Sequence, residues 1–326
     1  MNDAAPKMLT PSPTLPAPSW WLARVNKANL AFAIAIVLLV VFASVGTDSF
    51  LTGRNLVSIS RQIVTNGFLS LGMLLVILTG GIDLSVGAVL AFAGLLATGL
   101  QAHMPWPVAI CVALLMGLAV GCVNGILIAR YKLQPFIATL ATMGSVRGLL
   151  YIYSETPQYP ADPLFRSMLG GGFIGPMPVP TLLFILALPI LWFYLNHTVS
   201  GRALYAIGVN SEAVRLAGIN VRRHMMAAYV ASGFLAALAG VLLASRVGVA
   251  QPSVGVGYEL DAIAAVVIGG GILGGGGGTV FGVLAGVLAL AMVDNVLNLF
   301  NVESYYQQFL KGIIILVAVL AREKSI

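Results

Sequence analysis

The sequence predicts an all-α polytopic membrane protein with about ten transmembrane helices, and its composition and apolar segments carry that prediction. Of the 326 residues, 59% are hydrophobic and only 9% are charged, whereas soluble domains have roughly 25% charged residues. The mean hydropathy is +0.97. Since so few charged side chains cannot cover a water-soluble globule, lipid must surround most of the chain. This excludes a secreted disulfide scaffold, a nucleic-acid-binding domain and a water-facing enzyme.

Ten apolar segments separated by Gly or Pro clusters account for the predicted spans, since a helix needs about 20 apolar residues to cross the hydrocarbon core. They are 28–45, 62–79, 86–102, 107–129, 135–153, 180–196, 226–245, 259–273, 279–299 and 309–321. The last is short, and the eighth contains Glu259 and Asp261. The proline-rich residues 1–27 are expected to form a disordered cytoplasmic tail. Residues 28–326 are then a single transmembrane domain.

The distribution of basic residues predicts on which side of the membrane each loop lies. Ten spans put both tails on one side, together with the loops 130–134 and 197–225. That side holds 11 Lys and Arg residues, the opposite side holds 4, and 2 fall inside spans. Because cytoplasmic loops carry the excess of Lys and Arg, both termini are expected in the cytoplasm. The positive balance also suits contact with anionic membrane lipid, not nucleic acid.

Residues 62–153 and 226–321 each contain four spans and are predicted to be half-repeats. Asp83 at the start of one second span parallels Asp261 at the start of the other, and Asn124 parallels Asn295. The first span of the first half begins on the outer side of the membrane, and that of the second half begins on the cytoplasmic side, so the repeats would be inverted. Such an arrangement places a substrate path at the repeat interface near the midplane.

Two acidic interruptions divide the apolar segments. Asp83 and Ser85 lie within 80–87, and Glu259 and Asp261 lie within 257–262. A helix break at membrane depth is tolerated only where protein or a water-filled cavity receives the free backbone groups. An ionisable group there is a functional candidate. The alternative is that Asp83 caps the third span at the cytoplasmic surface, and that Glu259 and Asp261 cap the eighth.

One further charged residue lies inside a span. Arg147 is six residues before Tyr153 at the end of the fifth span. A long basic side chain near a helix end can extend its charged group to the interface. Arg147 is therefore expected to reach the outer interface and not to line a path.

The cytoplasmic loop 197–225 contains the pattern of a short capped helix. Asn210 or Ser211 can accept hydrogen bonds from the free N–H groups, Glu212 suits the positive helix end, and Gly218 can take the left-handed stop. Its apolar face comprises Ala213, Leu216 and Ala217. Since a two-turn helix is not stable alone, this face docks either into a groove on a cytoplasmic partner or against the chain's own membrane domain.

Catalytic and metal motifs do not emerge from the sequence. The glycine-rich segment 269–279 lacks the Lys that precedes the hydroxyl residue of a phosphate-binding loop. The three His residues, at 103, 197 and 224, are far apart in the chain and distant from any Cys. We therefore predict no catalytic residue, no metal site and no cofactor in this chain.

Several motifs taken in chain order are specific enough to indicate a family. They are Gly80-Gly-Ile-Asp-Leu-Ser-Val-Gly87, Pro135-Phe-Ile-Ala-Thr-Leu140 with Arg147-Gly148, Ala206-Ile-Gly-Val-Asn210 with Arg215-Leu-Ala-Gly-Ile-Asn-Val221, Gln251-Pro252, Gly257-Tyr-Glu-Leu-Asp-Ala-Ile-Ala-Ala-Val-Val267, and Asn298-Leu299 with Ser304-Tyr-Tyr-Gln307. With these motifs the chain resembles, over about residues 30–322, the inner-membrane permeases of ribose-type sugar ABC importers. It departs at Val209, where Gly is usual, and at Gly271-Ile272, where Thr-Ser is common.

The resemblance implies a transport subunit of the bacterial inner membrane and not an enzyme. A homodimer of it would pass a monosaccharide from the periplasm to the cytoplasm. The implied partners are a periplasmic sugar-binding protein and a cytoplasmic ATPase that holds ATP and Mg²⁺. The resemblance also favours docking of the capped helix on that ATPase. The predicted coupling residues are Asn210, Ser211, Glu212, Ala213, Arg215, Leu216, Ala217 and Gly218.

A sugar path needs exchangeable hydrogen bonds, which amides and hydroxyls supply because each can donate and accept. Path residues are therefore expected to be Asn124, Asn295 and Ser85, whereas the carboxylates are expected to hold the broken backbone, namely Asp83, Glu259 and Asp261. The alternative for the two asparagines is amide bonding between helices. Other classes stay open: a secondary active transporter, a membrane-embedded enzyme, or the same importer carrying a polyol or another small polar solute.

Overall fold

The computed structural model describes residues 27–323, and most of this part is helical. Apart from Lys27, the predicted tail 1–27 lies outside the described residues. The helices are α1 Lys27–Gly46, α2 Gly53–Leu78, α3 Val86–Gly99, α4 Trp106–Ala129, α5 Pro135–Tyr153, α6 Pro163–Phe165, α7 Val179–His197, α8 Val199–Leu216, α9 Val221–Val247, α10 Tyr258–Ile268, α11 Val280–Leu299 and α12 Ser304–Glu323.

The remaining regular structure is small. A 3₁₀ turn, Leu100–Ala102, extends α3, and a π-helical turn, Arg166–Gly170, follows α6. The strands β1 Phe173–Ile174 and β2 Met177–Pro178 form an antiparallel pair before α7. The fold is thus that of an all-α polytopic membrane protein with one two-stranded hairpin among its described residues.

Six helices of the described part are long and apolar enough to cross a membrane: α2, α4, α5, α7, α9 and α11. The predicted boundaries 135–153 for α5 are correct, and those of α4 and α7 differ by one residue. The predicted end of the eighth span at 273 is wrong, because α10 ends at Ile268 where Gly269 begins a turn. With 11 residues, α10 is about 16 Å long and cannot cross the hydrocarbon core alone.

Several helices are longer than the sequence predicts, among them α2 and α8. Helix α2 begins at Gly53, nine residues before the predicted start at 62, because its first turns are polar and fall outside a hydropathy-based span. Helix α8 has 18 residues, and only its last part was predicted. Its backbone breaks at Asn210, where φ is −158° and ψ is 95°.

The centre of the bundle consists of α2 and α9, which pack against each other. Helix α9 also packs against α3 and α4, and α2 packs in the same way against α10 and α11. Close helix approach at α9 depends on Gly117, Gly121 and Gly125 of α4, where any side chain would overlap α9 atoms. These glycines therefore permit close packing of α4 against α9.

The interruption predicted at 80–87 is a break between helices, whereas the one predicted at 257–262 falls mainly in the first turns of α10, and the break there precedes it. Residues 79–85 separate α2 from α3, and residues 248–257 separate α9 from α10. The two breaks meet, because a methyl group on Gly87 would overlap the carbonyl oxygen of Gly255, and one on Gly255 would overlap that of Gly87. The N-terminal ends of the two short helices α3 and α10 are thereby brought together inside the bundle.

Candidate functional site

Asp83 anchors the first break. Its side chain is fully buried, so the alternative that it caps α3 at the cytoplasmic surface is wrong. One carboxylate oxygen accepts hydrogen bonds from the backbone N–H and the hydroxyl of Ser85, at 3.0 and 2.6 Å. The other accepts from the hydroxyl of Ser232 on α9, at 2.8 Å. These bonds satisfy a free backbone donor and attach the break to α9, as expected of a supporting carboxylate.

Asn124 and Ser85 belong to the same buried network. The amide nitrogen of Asn124 donates to the Ser85 hydroxyl at 2.9 Å, and its oxygen accepts from the Thr142 hydroxyl of α5 at 2.7 Å. Asn124 is fully buried. In this conformation both residues join α4 and α5 to the first break, and their expected role along a path stays a prediction.

Asn295 belongs to a different interhelical contact, an amide pair with Asn55. Its amide donates to Asn55 of α2 at 2.7 Å, and the Asn55 amide donates back at 2.9 Å. Both side chains are buried. The arrangement is that of interhelical amide bonding, the alternative considered for both asparagines, and the path role of Asn295 likewise stays a prediction.

Glu259 and Asp261 differ in what they contact. Glu259 accepts a hydrogen bond from the backbone N–H of Gly257 at 3.2 Å, and its other oxygen faces Gly87 at the start of α3. It thus lies at the positive ends of both short helices, where a carboxylate is favourable. Asp261 instead pairs with Lys311 of α12 at 3.2 Å.

Lys311 also pairs with Asp294 of α11 at 3.0 Å, so that one lysine joins three helices. Sequence reasoning missed this cluster, although an acid and a lysine within predicted spans are a recognisable signal.

Arg147 contacts the second break, and its expected reach to the outer interface stays a prediction. Its guanidinium donates to the carbonyl oxygens of Pro252 and Val254, at 3.0 and 2.9 Å. These carbonyls belong to the second break, where the backbone has left the helical pattern. Arg147 of α5 therefore provides hydrogen bonds that the broken backbone lacks.

A polar cavity of about 820 Å³ opens among α2, α9, α10, α11 and α12. Its size lies within the range of roughly 300–1,000 Å³ typical of small-molecule sites. The charged residues that line it are Arg54, Arg61, Arg246, Lys311, Asp261 and Asp294. Neither Asn124 nor Asn295 lines it. Within residues 27–323, no three His, Cys, Asp or Glu residues lie together as a metal site would require.

The last part of α8, residues 210–216, is a separate short helix beyond the kink. The Asn210 side chain accepts from the backbone N–H groups of Glu212 and Ala213, at 3.1 and 3.0 Å, so Asn210 and not Ser211 is the cap. Arg215 donates to Glu212 at 2.9 Å, which lowers the pKa of Glu212 below its usual value. Gly218 ends the helix with a φ of +82°, as predicted.

This short helix leaves its apolar face uncovered. Leu216 is 74% exposed, and Ala213 and Ala217 are exposed beside it. Val214 on the opposite face is buried. The helix thus rests on its own membrane domain through Val214, whereas the predicted docking face is free.

The first part of α8 is wedged against two other elements. A side chain on Gly208 would overlap the carbonyl oxygen of Leu78 at the end of α2 and the backbone of Gly276. The backbone N–H of Gly276 donates to that same carbonyl at 3.0 Å, and the Tyr205 hydroxyl donates to the Gly278 carbonyl at 3.0 Å. The glycine-rich segment 269–279 is therefore a contact surface for α8.

Helix breaks inside the bundle and a polar cavity are features of membrane transport proteins. A family model described as the permease component of a branched-chain amino acid transport system matches residues 55–319. The chain belongs to this family of permease components. Relatives of high coverage agree, so the chain is the permease of an ABC importer. No solved structure matches the chain significantly.

Three relatives illustrate the similarity. The ribose import permease of Bacillus subtilis strain 168 is 45% identical over 300 residues, which cover 90% of this chain and 92% of that protein. The ribose import permease of Haemophilus influenzae is 41% identical over 293 residues, covering 88% and 91%. An L-arabinose ABC transporter permease of Azospirillum brasilense is 38% identical over 291 residues, covering 88% and 86%. This similarity favours a permease over the secondary transporter and the membrane-embedded enzyme.

Proposed function

We propose that this chain is the membrane subunit of an ATP-driven importer that moves a monosaccharide, ribose, from the periplasm to the cytoplasm across the bacterial inner membrane. Two of the relatives named above are ribose import permeases, and the third is an arabinose permease. The polar cavity supports a hydrophilic cargo of small size. A polyol or another small polar solute is the alternative cargo.

Ten crossings with both termini in the cytoplasm are proposed for the topology. The six long apolar helices supply six of them, and α1, α3, α10 and α12 would supply the other four. Helix α10 is too short to cross alone and would do so together with its flanking glycine-rich segments. The 11 to 4 division of basic residues supports the orientation.

Inverted half-repeats, 62–153 and 226–321, are proposed for the internal organisation. The matching neighbours of the two central helices support them, since α9 packs against α3 and α4 whereas α2 packs against α10 and α11. The two breaks that meet at Gly87 and Gly255 fit a substrate route at the repeat interface.

Three partners complete the proposed importer: a cytoplasmic ATPase holding ATP and Mg²⁺, a periplasmic sugar-binding protein, and a second copy of the permease. The uncovered face of residues 210–218 supports binding of the ATPase, because an exposed apolar helix face at a membrane surface suits a groove on a partner. The cavity lies along the first turns of α2, whereas Gly208 packs against its last residue, Leu78. Cargo entry and ATPase docking would therefore lie at opposite ends of α2, a 26-residue helix.

Reconstitution tests this proposal. The permease and the candidate ATPase are reconstituted in proteoliposomes that contain ATP. The candidate binding protein and labelled ribose are added outside, and uptake of the ribose is measured. We expect uptake that requires both ATP and the binding protein and that persists after the proton gradient is collapsed. Uptake abolished by collapse of the gradient with ATP maintained would instead indicate a secondary transporter.

A further inference from the structure

Tyr229 of α9 buries a hydroxyl group that has no hydrogen-bond partner among the described residues. The side chain is fully buried, so water does not reach the hydroxyl in this conformation. Buried polar atoms are nearly always paired, so an unpaired one requires an explanation. A phenylalanine would fill nearly the same space without burying an unpaired group. Packing alone therefore does not account for a tyrosine at this position.

The Tyr229 hydroxyl lies against the first helix break. The ring packs in an apolar cluster with Val76 and Ile128, which fixes its position. A methyl group on Gly81 would overlap the hydroxyl oxygen, so this oxygen rests directly on the backbone of the break. Asp83, the carboxylate that supports the break, follows two residues later in the chain.

Ser232 presents a second hydroxyl to the same break from the next turn of α9, since residues three apart on a helix lie on one face. It donates to Oδ2 of Asp83 at 2.8 Å and is the sole donor to that oxygen within residues 27–323. The other oxygen, Oδ1, accepts from Ser85 and Asn124. Because each carboxylate oxygen can accept two hydrogen bonds, Oδ2 has capacity for one more. This face of α9 thus offers the break two donors, one in use and one free.

We propose that the Tyr229 hydroxyl is a second donor for Asp83, which the carboxylate reaches when the first break shifts along α9 during transport. The inference rests on the proposed function, because an importer changes conformation to release its cargo. A buried carboxylate that left Ser232 without gaining a new partner would be strongly destabilised.

The spacing of the two donors suits such a movement. Three residues of α9 separate them, a distance of about 4.5 Å along the helix axis. The backbone before Asp83 has the freedom to move, because Gly80 has a φ of +80° and Gly81 has no side chain. Tyr229 is therefore a positioning residue, which acts on the path through Asp83.

The test is a double-mutant cycle on the purified chain in lipid nanodiscs, read by backbone hydrogen exchange of residues 79–85. Tyr229→Phe removes an unpaired group and should leave exchange unchanged. Ser232→Ala removes the donor in use and should raise exchange only slightly, because Tyr229 replaces it. The double variant leaves Oδ2 without either donor and should exchange about tenfold faster than Ser232→Ala, the size of a lost hydrogen bond to a charged group.

Tyr306→Phe, at an exposed tyrosine of α12, is the matched control for the second substitution. Combined with Ser232→Ala, it should exchange like Ser232→Ala alone. A Tyr229 and Ser232 double variant that exchanges no faster than Ser232→Ala would overturn the proposal. Faster exchange in Tyr229→Phe alone would also overturn it, because the hydroxyl would then already be paired.

Transport gives a second measurement. In the reconstituted complex, Tyr229→Phe should slow ribose uptake about tenfold although the unfolding midpoint of the chain does not fall. Unchanged uptake would overturn the proposal, and this single variant decides if the double variant cannot be purified. Absence of uptake by the unmodified complex would contradict the proposed function, whereas the exchange cycle would still decide whether Tyr229 is a donor for Asp83.

Discussion

Gly87 at the start of α3 and Gly255 before α10 lie backbone against backbone, so that neither position has room for a side chain. This contact brings the two helix breaks together, with Asp83 supporting one and Arg147 the other. The breaks are thus a single packed unit and not two independent loops.

The first prediction concerns that contact. Gly87→Ala should destabilise the protein by roughly 1–3 kcal/mol, because the added methyl group forces apart two backbones that cannot relax independently. Gly144→Ala is the matched control, since no atom lies within 4 Å of a side chain at that position of α5. Thermal unfolding in detergent measures both. Equal midpoints for the two variants would show that the contact is loose.

The second prediction concerns Gly208. Gly208→Ala should separate α8 from Leu78 and from the glycine-rich segment, and so reduce transport per ATP several-fold while the complex still assembles. Gly148→Ala, in an open position of α5, is the control. Coupled uptake and hydrolysis assays give the ratio. A Gly208 variant with normal coupling would mean that movement of α8 is not passed through this junction.

The third prediction concerns the Asn55 and Asn295 pair. Asn295→Leu alone should destabilise the protein by about 1–2 kcal/mol, because it leaves the Asn55 amide buried and unpaired. The double variant Asn55→Leu with Asn295→Leu should recover part of this loss, since no unpaired amide remains. Unfolding midpoints of the single and double variants form the cycle. A strictly additive double variant would argue against direct pairing.

The fourth prediction concerns Arg147. Arg147→Met should free the carbonyls of Pro252 and Val254 and increase backbone hydrogen exchange in 248–257 about tenfold or more, as loss of charged hydrogen bonds implies. Exchange in 79–85, held by Asp83 instead, should change little. Arg222→Met, at the N-terminal end of α9, is a control. Unchanged exchange in 248–257 would show that the break is rigid without the arginine.

Local features of this chain were predictable, and long-range ones were not. The Asn210 cap and the Gly218 stop depend on chemistry within a few residues, and both are present. The start of α2 was missed because its first turns are polar and line the cavity, so that hydropathy does not mark them as part of a span. The Lys311 pairs join segments distant in sequence. The acids that pair with Lys311 are determined by how the helices pack, and no local sequence pattern shows this packing.

The uncovered face of residues 210–218 is where the account is most directly testable. Ala213→Glu places a charged side chain in the proposed docking groove, whereas Val199→Glu, at the other, equally exposed end of α8, is the matched control. The measurement is ATP hydrolysis by the reconstituted complex with and without the sugar-loaded binding protein. We predict that Ala213→Glu abolishes the stimulation while membrane insertion and the Val199→Glu complex remain normal. Full stimulation in the Ala213→Glu complex would contradict the assignment of this helix as the ATPase contact.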